Sequence, residues 1–191
     1  LEKISKLSYN HEFYCGYSPE RINPGDDNFT LTKMIKITSG STPFVADFVD
    51  DMYKKIIDAG TYKVSSINVA EAAKIIENIQ RDVNIALINE LAIIFDGMNL
   101  NTNEILEAAK TKSNFIPFKP GLVGGHCISV DPYYLSYKSM KLGVNADIIN
   151  VSRKINDNMS NFIVDKTINI LTKKNINIIN SDILILGYTF K

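Results

Sequence analysis

The feature that most restricts how this chain can fold is the apolar periodicity between Val69 and Met98. Ala72, Ile76, Ile79, Val83, Leu87, Leu91, Ile94 and Met98 recur at steps of three or four and form one stripe on a helix. At about 1.5 Å per residue, a helix of about thirty residues runs about 45 Å. Ile75, Ile85, Ile88 and Ile93 lie off the stripe. A helix this long, apolar on several faces, is expected to be buried on more than one side, as a connector between domains or the spine of a dimer.

The flanks divide into two kinds. Before the long helix, residues 12–18 and Met34 to Thr38 have strand character, and Tyr62 to Ser66 reads as a third short strand. A helix from about Pro43 to Ala59, stopped by Gly60, connects the second to the third. Strand, helix and strand in succession suggest the tail of an α/β domain. After the long helix, the pattern predicts helices over 102–112, 132–142 and 146–174, with an irregular Gly- and Pro-rich stretch at 113–130. The last of these carries Ile148, Ile149, Ile155, Met159, Ile163, Thr167, Ile170 and Leu171 near helical spacing. Ile183 to Gly187 reads as a buried parallel strand. The sequence opens without Met and closes at Lys191, just past that strand. It is therefore expected to be the middle part of a longer protein.

The bulk numbers exclude several classes. At 191 residues and 45% hydrophobic, the chain can bury a real core, with roughly one to two domains as the prior. Acidic and basic residues balance at 21 each, so no net field attracts nucleic acid or an anionic membrane. No apolar run approaches the roughly 20 residues of a membrane span. Two cysteines, Cys15 and Cys127, give neither a disulfide framework nor a metal-ligand pattern, which suits a reducing, cytoplasmic compartment.

Chemistry concentrates in residues 117–132, Pro-Phe-Lys-Pro-Gly-Leu-Val-Gly-Gly-His-Cys-Ile-Ser-Val-Asp-Pro. Glycines let a backbone approach a ligand closely and present N–H groups to an anion. A thiol beside such a loop and a helix start gains thiolate character. The plainer reading is a tight turn with a packed, inert cysteine, and spacing alone does not decide between them. Asp131 could cap the following helix, with Pro132 in its first turn. His126 adjoins Cys127, but neighbouring side chains in an extended loop point apart, which argues against a Cys/His pair.

Two other places hold polar groups. Lys74 and Asn78 share a face of the long helix, opposite the stripe begun by Ala72, and Arg81 and Ile85 continue it. A solvated surface is the ordinary explanation, and a pocket wall is compatible. Glu20 and Arg21 sit in the Pro-bounded loop after the first strand, where α/β folds hold ligands. The plainer alternative there is an exposed ion pair of little consequence.

Taken in order, Tyr17-Ser18-Pro19-Glu20-Arg21, Ala70-Glu71-Ala72-Ala73-Lys74 with Asn78, Pro120-Gly121-Leu122-Val123-Gly124-Gly125-His126-Cys127 with Asp131-Pro132-Tyr133-Tyr134, and Gly187-Tyr188-Thr189-Phe190-Lys191 resemble the UDP-glucose/GDP-mannose dehydrogenase family over essentially the whole chain. The form of the cysteine loop looks most like the UDP-N-acetylhexosamine dehydrogenases of bacterial polysaccharide and O-antigen synthesis. The resemblance implies a fold that is mainly α with α/β flanks. Residues 1–68 would end an NAD-binding Rossmann domain, and 69–175 would form a helical dimerisation domain. Residues 176–191 would begin a UDP-binding Rossmann-like domain. The Gly-x-Gly-x-x-Gly cofactor loop is absent from the sequence.

For function, the resemblance implies a double oxidation of a sugar C6 alcohol to a carboxylate with NAD. Cys127 would carry a thiohemiacetal and then a thioester. Glu20 would activate water. Lys74 and Asn78 would stabilise an oxyanion, and Asp131 would hold a water or orient its neighbours. Arg21, Ile22, Asn23, Ile85 and the Gly121, Gly124 and Gly125 loop would line the substrate. Phe190 and Lys191 would lie against its nucleotide. The expected partners are a UDP-N-acetylhexosamine and a second copy of the chain. This stretch alone is expected to be inactive. Arg153 occupies a position typical of the acetamido-sugar branch, with its role open, and Cys15 reads as structural. Two alternatives remain: a non-catalytic helical dimerisation module, and a 6-phosphogluconate-type dehydrogenase, which needs no nucleophilic thiol.

Overall fold

A computed structural model describes residues 1–22, 30–125 and 127–187. They fall into two compact units, Leu1–Glu77 and Asn78–Lys191. The first holds a short helix α1 (Glu2–Ser5), strands β1 (Gly16–Tyr17), β2 (Lys36–Gly40) and β3 (Thr61–Lys63), and helix α2 (Pro43–Lys54). Helix α3 (Ile67–Gly97) begins in the first unit and continues in the second. The second unit adds α4 (Thr102–Lys110), α5 (Asp131–Lys141) and α6 (Asp147–Lys173).

In the first unit β2 is central, antiparallel to β1 and parallel to β3. Parallel neighbours need a crossover, and α2 supplies it. Thr42 starts α2 by accepting the Val45 N–H, and Pro43 stands in its first turn. Val45, Ala46 and Val49 bury one face of α2, joined in the core by Ile37 and Ile57. The helix lies so close to β2 that a Cβ at Gly40 would overlap the backbone nitrogen of Ala46. The expected strand over 12–18 shortens to β1, and the expected helix end at Ala59 retreats to Lys54.

Asp50 lies under this sheet, 5% exposed. It accepts from Thr38 Oγ1 at 2.7 Å and pairs with Lys54 Nζ at 2.6 Å. Burial pushes its carboxyl up, but hydrogen bonds from Lys54, Thr61 and Thr38 outweigh that and hold it at about 2, against an ordinary 3.8. A carboxylate with a depressed folded pKa contributes stability above its unfolded pKa and loses it as pH falls toward the folded one. The contribution corresponds to about 2 kcal/mol. Denaturant titration of the wild type and Asp50→Asn should show a full gap above about pH 4 that closes toward about pH 2.

Ser66 opens α3 by accepting the Val69 N–H at 3.3 Å. The expected bounds of this helix were nearly right, but the apolar stripe is not the face buried among the described residues. Of the predicted stripe, Ile79 is buried, whereas Ile76, Leu87, Ile94 and Met98 are 48–58% exposed. The buried positions include Asn78, Asp82 and Asn89, at 1%, 0% and 0% exposure. Apolar periodicity cannot register such a face, because these groups are buried by pairing with one another and with other elements. In α6 the predicted apolar set behaves likewise: Met159 is buried, but Ile148, Ile163 and Ile170 are exposed, and Ser152, Arg153 and Asn156 are buried instead.

The expected strand over 183–187 does not form. Ile183 to Leu186 are 68–83% exposed, and no strand among the described residues pairs with them. An extended segment needs a neighbouring strand to satisfy its backbone, and the described residues offer none there. Among the described residues, no helix is long and apolar enough to cross a membrane, and no cluster of His, Cys, Asp and Glu could hold a metal ion.

Candidate active site

In the second unit, the Gly- and Pro-rich stretch leading into α5 has no regular secondary structure, as its composition predicts. Cys127 is exposed and free. Its carbonyl accepts the N–H groups of Val130 at 3.1 Å and Asp131 at 2.9 Å, which turns the chain into α5. Ser129 Oγ donates to the Gly125 carbonyl at 2.6 Å. Gly125 has φ 94°, a left-handed conformation that favours glycine. A Cβ at Gly121 or Gly124 would meet nothing of the chain within 4 Å, so packing does not dictate glycine there.

Asp131 does not cap α5, contrary to one expectation. Val130 is the N-cap, without a side-chain hydrogen bond. The Asp131 carboxylate instead accepts from Asn78 Nδ2 at 2.5 Å. Asn78 Oδ1 in turn accepts from the Arg81 guanidinium. Asn78 is therefore not on a solvated face. It joins α3 to the start of α5, four residues beyond the cysteine.

Asn78 begins a buried polar seam. Asp82, Ile85 and Asn89 follow at helical spacing, with Ile85 half-buried. Asp82 Oδ1 accepts from Arg153 Nη1 at 2.6 Å and from Asn156 Nδ2 at 2.7 Å. Burial raises the Asp82 carboxyl, and the bonds from Asn156 and Arg153 restore only part of that. Burial would lower the Arg153 guanidinium, but Tyr133, Asp82 and Asp157 together hold it up. Tyr133 adds its ring face 5.7 Å from that cation and donates its hydroxyl to Asp157 at 2.9 Å.

The first unit gathers Glu20, Arg21, Lys36 and Lys74. Ser18 Oγ donates to the Ile37 carbonyl at 2.6 Å, and Lys36 Nζ donates to the Pro19 carbonyl at 2.8 Å, so both pin the loop to β2. Arg21 bonds the Ile35 carbonyl at 2.9 Å and Glu77 at 2.6 Å. Its partner is thus Glu77, not Glu20. The Glu20 carboxylate accepts the Ile22 N–H. Lys36 is pushed below its ordinary pKa chiefly by burial; Glu20 raises it, and Arg21 and Lys74 lower it. Lys74 is half-buried, one turn before Asn78 on α3. Asn23, His126, Phe190 and Lys191 lie outside the described residues.

Sequence reading missed Lys36, Asp82, Asn89 and Asn156. One signal could have found the second and third: Asn78, Asp82 and Asn89 repeat at helical spacing on an otherwise apolar helix. Lys36 carries no such mark within its alternating strand.

Residues 68–158 match the model of the UDP-glucose/GDP-mannose dehydrogenase family, central domain. The chain is 57% identical over its whole length to UDP-N-acetyl-D-glucosamine 6-dehydrogenase of Salmonella typhi, and covers 45% of it. It is 54% identical to the protein of that name from Pseudomonas aeruginosa, again over its whole length and 45% of the relative. The chain thus spans less than half the length of these relatives. The solved UDP-D-ManNAc dehydrogenase of Pyrococcus horikoshii superposes with a TM-score of 0.82 at 31% identity, over 92% of this chain and 41% of that one. The sequence match and the shared fold agree: residues 68–158 match the central domain of the UDP-glucose/GDP-mannose dehydrogenase family.

Proposed function

We propose that the full-length protein oxidises the C6 alcohol of a UDP-N-acetylhexosamine to a carboxylate, with NAD as oxidant and Cys127 as nucleophile. One observation carries this reading: Cys127 is exposed at the end of a glycine loop, and Asp131, four residues on, is held by the buried Asn78 at 2.5 Å. A packed turn would hide its thiol; this one presents it.

NAD would accept a hydride from C6 in each of the two oxidations. The residues present do not form its cradle. Gly40, at the end of β2, has the space above it filled by α2 itself, and the Gly-x-Gly-x-x-Gly segment is absent from the sequence. The residues of this chain act on the carbon. The Cys127 thiolate adds to the aldehyde, forming a C–S bond as the oxygen takes a proton. Loss of the C6 hydride and the hydroxyl proton leaves a thioester. Water then adds, the C–S bond breaks, and the thiolate leaves the carboxylate product. Glu20 would accept the proton of that water. Lys74 would stabilise the oxyanion, together with the second Nδ2 hydrogen of Asn78, since only one faces Asp131.

In this reading residues 1–68 complete the NAD domain, 69–175 form the central domain and 176–191 enter the UDP domain. Gly121, Gly124 and Gly125 would admit the substrate closely, Arg21, Ile22, Asn23 and Ile85 would also line it, and Phe190 and Lys191 would contact its nucleotide. The exposed apolar residues of α3, Ile76, Leu87, Ile94 and Met98, would pack in a homodimer. The free thiols suit the cytoplasm. Full-length protein supplied with UDP-N-acetylglucosamine or UDP-N-acetylgalactosamine should form NADH and a uronate, two NADH per sugar. Absence of NADH with every UDP-N-acetylhexosamine tried would sink the proposal.

A further inference from the structure

We infer that Asn89 is a positioning residue for the nucleophile loop, the second of two pins that hang the loop from α3. The inference rests on the proposed role of Cys127. Asn89 Oδ1 accepts the Gly121 N–H at 2.8 Å, and its Nδ2 donates to the Gly121 carbonyl at 3.0 Å. One side chain thus holds both backbone groups of one loop residue. The remaining Nδ2 hydrogen donates to Asn156 Oδ1 at 2.9 Å, so the amide is satisfied and its flip is fixed. Asn156 is anchored on the Asp82 carboxylate at 2.7 Å, and Asp82 on Arg153 at 2.6 Å. Asp82, Asn89, Arg153 and Asn156 are all at most 3% exposed, which makes this a rigid post behind the loop.

The loop needs such a post. Asn78 and Asn89 lie eleven residues apart on α3, close to three full turns, so they share a face about 16 Å apart. The ten-residue path from Gly121 to Asp131 could reach about 33 Å if extended. The loop therefore has slack, and a pin at Asp131 alone would not fix its course. Around Cys127 the chain is folded onto α5 through Val130, Asp131 and Ser129. Between the pins, Leu122, Val123 and Gly124 make no hydrogen bond among the described residues. Asn89 is what holds the arm that leads into the cysteine turn.

The test uses full-length protein. Asn89→Ala is expected to lower kcat at saturating sugar nucleotide roughly 10–100-fold, the scale of a small misplacement of a reacting group. It should also change the rate at which iodoacetamide alkylates Cys127, read by peptide mass spectrometry, while the rate at Cys15 stays the same. General destabilisation would move both thiols. A folded Asn89→Ala protein with wild-type kcat and wild-type Cys127 alkylation overturns the positioning role. Amide exchange in the wild type needs no variant: the Gly121 N–H should be protected while Leu122 to Gly124 exchange freely, and an unprotected Gly121 overturns the pin. Cys127→Ser with undiminished turnover removes the functional reading and the role of Asn89 with it. Loss of turnover in Cys127→Ser but not in Asn89→Ala isolates the failure to the present inference.

Discussion

Cys127→Ser in the full-length protein is expected to stop carboxylate formation by roughly 10³-fold or more, the scale on which removing a covalent nucleophile acts. The NADH yield should fall from two per sugar to at most one. The first oxidation turns an alcohol into an aldehyde and needs no covalent bond to the protein. The second needs the aldehyde carbon to carry a heteroatom that can later leave. A thiolate supplies it at neutral pH, and a serine hydroxyl without an adjacent base does not. The described surroundings provide no such base for residue 127: the Asp131 carboxylate is engaged by Asn78 and its N–H by the Cys127 carbonyl. Mass spectrometry of the sugar nucleotide, with NADH counted in parallel, reads both halves. Uronate at the wild-type rate from Cys127→Ser would leave a thiol-independent dehydrogenase as the better reading.

Much of the fold was legible where local chemistry sets structure. The long helix ends within two residues of both predicted bounds, because Ser66 before it and Asn99 just after it, with a left-handed φ of 57°, act locally. Gly143 falls at the predicted stop just past α5, with φ of 72°, whereas Gly60, with φ of 84°, lies six residues beyond the end of α2. The face that α3 buries was not legible. The stripe of isoleucine and leucine points to one side, while Asn78, Asp82 and Asn89, at most 1% exposed, lie among the buried residues of α3. Polar side chains enter a core when partners meet them there, and those partners lie far off in sequence. Asn78 meets Asp131 53 residues away, and Asn89 meets Asn156 67 residues away. The strand over 183–187 failed for a related reason: its apolar run is a local signal, but a strand exists through its neighbour. At the site, the thiol and the glycine loop were visible as types and spacing. That Arg21 pairs with Glu77 was not, because the two are 56 residues apart.

Arg153→Ala is expected to destabilise the protein by about 3–5 kcal/mol, because it leaves a buried carboxylate uncompensated. Asp82 is 0% exposed, and without Arg153 its Oδ1 keeps only Asn156, while its Oδ2 already has no hydrogen-bond partner. For a chain of this size such a loss lowers Tm by roughly 10 °C. The Lys63–Asp47 pair provides the contrast: both side chains are well exposed, and removing it should change little. The same argument predicts a rescue. Asp82→Asn in the Arg153→Ala background removes the stranded charge, so the double variant should be more stable than Arg153→Ala alone. The pH dependence follows the same sign. Burial already raises the Asp82 carboxyl, and without the guanidinium it rises further, so Arg153→Ala should recover part of its lost stability as pH falls and the acid takes its proton. Thermal unfolding of the two single variants and the double across this range measures both effects. Strictly additive losses, with no recovery at low pH, would mean that Arg153 acts through its stacking on the Tyr133 ring and not through its charge on Asp82.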